Sequence, residues 1–220
     1  MTPRPIAALL LPGLAACVPL YVAPEDAGEP GMSSPYVQGM IGVSHVSRDP
    51  RAAVAGGGNG SATLPLLAAA VQIPMAGEHV QTGFEWGGTF AWDHDRTVVD
   101  DGTGVAAADD DLVLADLFAG LSLVTWFGET ARLFAGAGPV LQFGWTELEY
   151  EDQGGETVWV QDSAAGGGIY ARAGLELPFS SHTWVGLQVR WMDADLDFGG
   201  DAGSVDLETA QWVLSVTQGF

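Results

Sequence analysis

Six charged side chains lie in segments that otherwise alternate between large apolar and small residues. Three are acids and three are arginines: Glu85, Asp116, Glu176, Arg132, Arg172 and Arg190. Carboxylates that face arginines form ion pairs, and the planar guanidinium can meet two carboxylate oxygens at once. Because an isolated buried ion is costly, six charges that share a narrow interior must pair. These residues therefore predict an ion-pair network inside the protein.

Two roles are open for this network. It can plug the interior and fix the register of the surrounding strands, or it can gate a small ion pathway. The sequence also predicts eight strands, and a barrel of eight strands is only just wide enough to hold its own side chains, which favours the plug. The same limit leaves no room for a sugar, so we discount a carboxylate pair for glycoside hydrolysis. Three glutamines share the inward-facing positions of the strands with these charges: Gln38, Gln142 and Gln188.

A second set of residues has the types found in serine hydrolases. His45 and Ser47 lie at the outer end of the first predicted strand, and Glu208 lies at the outer end of the last, on the same face. A serine activated by histidine attacks acyl groups, and the set resembles that of the outer-membrane lipid A deacylases. The likeness covers only these three residues, and the sequence identifies no oxyanion donor. We therefore expect no enzyme, with a lipid A deacylase as the least favoured alternative.

Three aspartates, Asp193, Asp195 and Asp197, have the spacing that begins a calcium loop. However, Phe198 stands where the sharp turn needs glycine, and Ser204 where the bidentate glutamate should be. At strand spacing the aspartates would line one face at a membrane rim. There they are weak candidates for binding divalent cations, although such a run is more often a solvated face. The four histidines are scattered and match no zinc spacing, so we expect no metal centre and no cofactor.

Alternation of polarity with a period of two predicts the elements that hold these residues. Eight strands are expected, at about Pro35–Ser47, Thr63–Ile73, Glu78–Asp93, Leu112–Trp126, Thr130–Glu147, Gly168–Phe179, Thr183–Asp195 and Leu207–Phe220. Short turns alternate with long connections, as in outer-membrane barrels. The long ones are Arg48–Ala62, His94–Asp111, Leu148–Gly167 and Leu196–Asp206. The predicted fold class is all-β: an eight-stranded antiparallel transmembrane β-barrel with an up-and-down meander.

The two faces of the strands indicate which side meets lipid. One face is large and apolar, whereas the other carries glycine and single polar groups. A soluble barrel would put the large face inside and cover its outer face with charge, but the polar face here is too rich in glycine to be a solvent surface. The apolar face is therefore expected to meet hydrocarbon, where a closed barrel satisfies every backbone hydrogen bond. Five tryptophans share it and are expected to form the interfacial girdles: Trp86, Trp92, Trp145, Trp191 and Trp212.

The composition limits the partners of the protein. The net charge is −21, and the seven basic residues are all arginines. Such a surface repels the phosphates of nucleic acid, so no nucleic-acid partner is expected. It can attract divalent cations, although acidic connections more often simply keep a surface soluble.

Residues 1–17 are predicted to be a signal peptide. A basic start precedes an apolar stretch, 6–16, that is too short to span a membrane as a helix. It ends in Leu14-Ala-Ala-Cys17, which resembles the lipobox of bacterial lipoproteins and implies acylation of Cys17; an ordinary signal peptide with a nearby cysteine is the alternative. Residues 18–34 are rich in proline, glycine and acids and predict a flexible periplasmic linker before the barrel, 35–220.

Phe220 ends an alternating strand, which is typical of outer-membrane barrels. With the strand pattern, it gives residues 35–220 a resemblance to the small eight-stranded outer-membrane barrels, the group of the OmpA-type membrane domain, OmpX and Opa-like proteins. The resemblance implies the outer membrane of a Gram-negative cell, with extracellular loops. It implies as partners lipid, lipopolysaccharide and the barrel assembly machinery, which would recognise the C-terminal strand. The expected function is a non-enzymatic surface protein with acidic loops, for envelope integrity or adhesion; a narrow porin-like pore is the alternative.

Overall fold

Side chains alternate between the two faces of eight extended segments, which pair into strands. They are β1 (Tyr36–Val46), β2 (Ala62–Ala76), β3 (Val80–Asp100), β4 (Val105–Phe127), β5 (Ala131–Glu151), β6 (Thr157–Pro178), β7 (Thr183–Phe198) and β8 (Ser204–Gly219). The computed structural model describes residues 35–51, 61–76, 80–100, 105–128, 130–151, 156–198 and 204–220. The predicted signal peptide, Cys17 and the linker lie outside these residues. Within them, no helix is long and apolar enough to cross a membrane.

Each strand pairs antiparallel with the next, and β1 pairs with β8, so the sheet closes on itself. The predicted eight-stranded up-and-down β-barrel is therefore confirmed. The pairing is staggered: following paired residues once around the ring from Leu207 leads to Thr217, ten residues further along β8. Such a stagger requires strands that tilt relative to the barrel axis. Tilt brings residues from distant parts of the chain to the same depth in the lumen.

The outer face of the barrel carries exposed large apolar side chains. Examples from six strands are Ile41, Leu67, Leu121, Leu141, Ile169 and Leu187. A continuous apolar surface of this kind is unfavourable in water and is what a lipid-facing barrel presents. Of the five girdle tryptophans expected from the sequence, Trp92, Trp191 and Trp212 are exposed on this face, and Trp86 and Trp145 are partly exposed.

We call the two ends of the barrel the turn end and the loop end. The turn end holds residues 35 and 220 and the strand ends that border 77–79, 128–130 and 179–182; the loop end holds the strand ends that border 47–61, 101–104, 152–156 and 199–203. The strands reach further at the loop end than the sequence predicted. β3 and β4 remain paired up to Asp100 and Val105, so the connection predicted over 94–111 is mostly strand. The predicted start of β6 and the predicted end of β7 were also too short, since β6 begins at Thr157 and β7 ends at Phe198.

Where the strands extend beyond their predicted ends at the loop end, the polarity of their two faces is inverted. In β7, Asp193, Asp195 and Asp197 point outward and are exposed, whereas Ala194, Leu196 and Phe198 point inward and are buried. The period of two continues, but the outward side chains are now those that suit water. Polar outward residues were therefore mistaken for loops, and many acids assigned to loops lie on strands.

An apolar layer fills the lumen near the loop end. It consists of side chains that are 1% exposed or less: Val46, Leu64, Leu112, Leu196, Phe198 and Leu207. They belong to one contiguous core cluster. On β4 and β7 the layer lies on the loop-end side of Asp116 and Arg190, whereas Asp110 of β4 lies between the layer and the loop end.

Candidate functional site

The six charged residues predicted for the interior all point into the lumen. They are 4% exposed or less, and they come from five strands, β3 to β7. Glycine on the facing strands makes the space for them. At Gly136, a methyl group would overlap the carboxylate of Glu85, so only glycine leaves room there. The structure brings the six together as three separate arginine–carboxylate pairs.

The pair nearest the turn end joins Arg132 of β5 to Glu176 directly opposite on β6. Arg132 Nε donates to Glu176 Oε2 at 2.8 Å, and Nη2 donates to the same oxygen. The other carboxylate oxygen accepts hydrogen bonds from three uncharged side chains: Gln38, Ser215 and Thr217. Two aromatic rings, Tyr36 at 4.5 Å and Trp184 at 5.1 Å, lie against the guanidinium. Cation–π contact and charge-assisted hydrogen bonds thus replace much of the water around both ions, although Nη1 of Arg132 is buried without a hydrogen-bond partner.

The middle pair crosses the lumen from Arg172 of β6 to Glu85 of β3. The contact is a two-pronged fork: Nε donates to Oε1 at 3.0 Å, and Nη2 donates to Oε2 at 2.7 Å. The hydroxyl of Tyr170 donates to the same carboxylate at 2.8 Å. Arg172 also donates from Nη1 to the amide oxygen of Gln38 at 2.7 Å. Because Gln38 in turn donates to Glu176, the middle pair and the turn-end pair form one network.

The third pair joins Arg190 of β7 to Asp116 of β4, again as a fork, with distances of 2.8 and 3.1 Å. Thr89 donates to the same carboxylate. The ring of Phe118 connects this pair to the middle one, because its centroid lies 4.3 Å from the Arg190 guanidinium carbon and 5.6 Å from that of Arg172. The three pairs therefore form a ladder along the lumen. We call it the ion-pair ladder.

The ladder is electrically balanced, with three guanidiniums against three carboxylates. Each carboxylate is occupied by a guanidinium and by at least one neutral donor. A carboxylate held in this way is a poor general base, since its lone pairs are already used. What the arrangement does is link opposite walls of the barrel and fill its centre. Gln188 also accepts a hydrogen bond from Arg172 of the ladder, whereas the predicted Gln142 lies directly opposite Asp116 with its amide oxygen buried and without a hydrogen-bond partner.

The predicted serine–histidine–glutamate set lies at the loop end but its side chains bond elsewhere. Nδ1 of His45 lies 3.2 Å from the hydroxyl of Thr63. Ser47 donates to the backbone carbonyl of Glu208 at 3.0 Å, and the Glu208 carboxylate accepts from the indole of Trp191 at 3.1 Å. The serine hydroxyl therefore donates to a backbone carbonyl rather than to a base.

The aspartates of β7 lie on the outer face, just beyond Trp191. Asp193 is directly opposite Glu208 on β8, and Asp195 is opposite Asp206. Partial desolvation and the nearby Asp206 carboxylate raise the pKa of Asp193 above its ordinary value. Like charges placed opposite each other on paired strands repel. Among the residues that the structure describes, no three acidic, histidine or cysteine side chains are grouped so as to hold a metal ion.

Sequence reasoning missed one charged cluster, at the mouth of the loop end. Arg51, which follows β1, is buried and forms ion pairs with Asp49, Asp93 and Asp110. These residues lay in or beside connections predicted to be loops, and no motif relates them. Only the closure of the barrel brings them together.

No protein-family model matches the chain, and no curated protein matches it in sequence. Solved structures do resemble it. Ail, the attachment invasion locus protein of Yersinia pestis, is 12% identical with a TM-score of 0.50, over 86% of this chain and 100% of that one. Neisserial surface protein A is 11% identical with a TM-score of 0.48, over 84% and 97%. OprG from Pseudomonas aeruginosa is 11% identical with a TM-score of 0.45, over 87% and 98%. At these identities the likeness to Ail shows a shared barrel fold and nothing finer.

Proposed function

We propose that the chain is a non-enzymatic surface protein of the Gram-negative outer membrane, with its loop end outside the cell and a lumen that does not conduct. The observation that carries the proposal is the filled lumen. The ion-pair ladder occupies the half nearer the turn end, and the apolar layer occupies the half nearer the loop end. An ion would have to displace paired charges in the first and then cross the apolar layer in the second, where buried hydroxyls such as those of Thr146 and Thr209 offer little in place of its hydration shell.

The outer face supports the membrane location. On β7 and β8 it is apolar between the two ends and becomes acidic only beyond Trp191, at Asp193, Asp195, Asp197, Asp206 and Glu208. Tryptophan prefers the boundary between hydrocarbon and headgroups, so the acids would lie at the level of lipopolysaccharide headgroups or above it. Lipid and lipopolysaccharide are the partners that this surface favours. β8, which seals against β1 and ends beside Phe220, is the segment that we propose the barrel assembly machinery recognises.

Planar-bilayer recording of the purified full chain tests the closed lumen. We expect no steady single-channel conductance from the wild-type protein. A steady conductance that changes in Arg132→Ala or Glu85→Ala would contradict the proposal and favour the narrow pore. Arg48→Ala is the matched control, because Arg48 is an exposed arginine whose nearest carboxylate, on Asp206, lies 3.7 Å away.

Mass spectrometry of lipid A tests the absence of deacylase activity. Ser47 and His45 bond to different partners, and we expect cells that express the protein to have an unchanged pattern of lipid A acylation. Loss of one acyl chain on expression, abolished by Ser47→Ala, would overturn the non-enzymatic assignment.

The strand extensions of the loop end support a role in display. On β7 they carry the exposed acids Asp193, Asp195 and Asp197, and Ail, which shares the fold, is named for attachment and invasion. We propose adhesion or envelope integrity as the biological role. Comparing a deletion strain with its parent separates the two: loss of adherence to host cells with unchanged detergent resistance indicates adhesion, and the reverse indicates envelope integrity.

A further inference from the structure

Residues 47–51 lie at the mouth of the barrel, and one buried arginine ties them to the opposite wall. Arg51 is 5% exposed. Its Nη1 donates to Asp110 at 2.9 Å and to Asp93 at 3.1 Å, while Nε and Nη2 donate to Asp49 at 3.0 and 2.8 Å. The backbone N–H of Arg51 also donates to Asp49, at 3.0 Å. One guanidinium therefore binds carboxylates from its own segment and from two strands.

The topology makes this contact unusual. β1 is paired with β2 and β8, so its C-terminal extension would be expected to stay near those strands. Instead, Arg51 reaches β3 and β4, on the far side of β2. Asp93 and Asp110 are on the lumen-facing parity of their strands, and Asp110 comes two residues before Leu112 of the apolar layer. The guanidinium consequently lies over the apolar layer rather than on the outer rim.

The charges of the cluster indicate that Arg51 is what holds it together. Three carboxylates meet one guanidinium, with Asp95 also close enough to act on Asp110. Burial raises the pKa of the Asp110 carboxyl, and the Arg51 charge opposes that rise. Without Arg51, the remaining carboxylates would repel one another in a poorly solvated place. Arg48, three residues earlier in the same segment, is different, because it is more than half exposed and lies 3.7 Å from Asp206.

We propose that residues 49–51 form a clasp, closed by Arg51, that shuts the loop end of the barrel above the apolar layer. The clasp is a second closure, independent of the ion-pair ladder, with which it shares no residue. Opening it would admit water and solutes to the apolar layer while leaving the ladder intact.

Thiol labelling measures whether the clasp is closed. Leu112→Cys places a thiol directly beneath it, at a position that is fully buried in the wild type. The full chain, folded in lipid vesicles, is treated with a charged, membrane-impermeant thiol reagent, and peptide mapping separates labelling at this position from that at Cys17. We expect slow labelling when Arg51 is present and labelling about tenfold faster or more in Arg51→Ala, the factor expected for losing charge-assisted hydrogen bonds. Arg48→Ala should label at the slow rate.

Heat-modifiable gel mobility verifies that each variant is a folded barrel. Should Arg51→Ala fail to fold, the double variant Asp93→Asn with Asp110→Asn releases the clasp from the other side and is expected to accelerate labelling in the same way. The proposal is wrong if folded variants of either kind label as slowly as Arg48→Ala, or if Arg48→Ala accelerates labelling equally.

Discussion

Replacing Glu85 with alanine is expected to destabilise the barrel far more than any change at its surface. Glu85 accepts three short hydrogen bonds, at 3.0 and 2.7 Å from Arg172 and at 2.8 Å from Tyr170. Both members of the ion pair are almost completely buried. Removing the carboxylate leaves the guanidinium of Arg172 without its partner in a place that water does not reach freely.

The magnitude follows from this burial. Removing one partner of a buried pair costs about 3–5 kcal/mol, because the remaining charge is uncompensated. Arg48 and Asp206 provide the scale for comparison, since they are 53% and 57% exposed and 3.7 Å apart. Exposed pairs of this kind contribute about 0–1 kcal/mol. We therefore expect the free energy of unfolding to fall several times further in Glu85→Ala than in Arg48→Ala.

Urea unfolding in lipid vesicles, followed by tryptophan fluorescence and by gel mobility, measures both variants. A double variant, Glu85→Ala with Arg172→Met, tests the cause. It removes both charges and replaces the guanidinium with an apolar side chain, which in buried sites is often nearly neutral. We expect it to be more stable than Glu85→Ala alone, because no ion is then left unpaired.

Two outcomes would refute this reasoning. One is a loss in Glu85→Ala no larger than that in Arg48→Ala, which would mean that water in the lumen already solvates Arg172. The other is a double variant whose loss equals the sum of the losses measured in Glu85→Ala and in the single variant Arg172→Met, because that additivity would show no coupling between the two charges.

Two further predictions concern single positions. Gly136→Ala is expected to lower the free energy of unfolding by about 1–3 kcal/mol in the same assay, since its methyl group would displace the carboxylate of Glu85. Gly39→Ala is the control, because nothing lies within 4 Å of the new atom, and it should change stability by less than about 0.5 kcal/mol. Equal losses in the two variants would contradict the argument. The hydrogen bond and charge of Asp111 raise the pKa of His94 above its ordinary 6.5. The ion pair between His94 and Asp111 therefore stabilises the fold fully below pH 6.5, and its contribution is lost as the pH rises through the raised pKa. An NMR titration should show the pKa of His94 falling in Asp111→Asn. A pKa of His94 that does not move would exclude the contact between the two side chains.

The strand pattern made most of the fold predictable. Period-two alternation is a local property, so the number of strands, their order and the face of each residue could be read along the chain. The face of Glu85, Asp116 and Arg132 followed in this way. The prediction was wrong where the surroundings change: in β7, Leu196 and Asp197 continue the alternation beyond the predicted end at Asp195, but water replaces lipid outside and an apolar layer replaces the charged lumen inside.

The partners of the charged residues were not predictable. Parity places Glu85 and Arg172 on one face of their strands, but it does not select Arg172 over Arg132 or Arg190. The selection depends on the tilt of the strands and on the ten-residue stagger around the ring, which set the depth of each residue in the lumen. Both are properties of the closed sheet.

The sequence by itself determined that eight amphipathic strands close into a barrel with lipid-facing apolar side chains and a charged interior, because which face a side chain takes depends only on its place in its own strand. The tertiary structure decided which charges pair, that an apolar layer covers them, and that Arg51 crosses the mouth to Asp93 and Asp110. Those contacts join residues 42 to 87 positions apart. They exist only when closure of the barrel brings distant strands to the same depth.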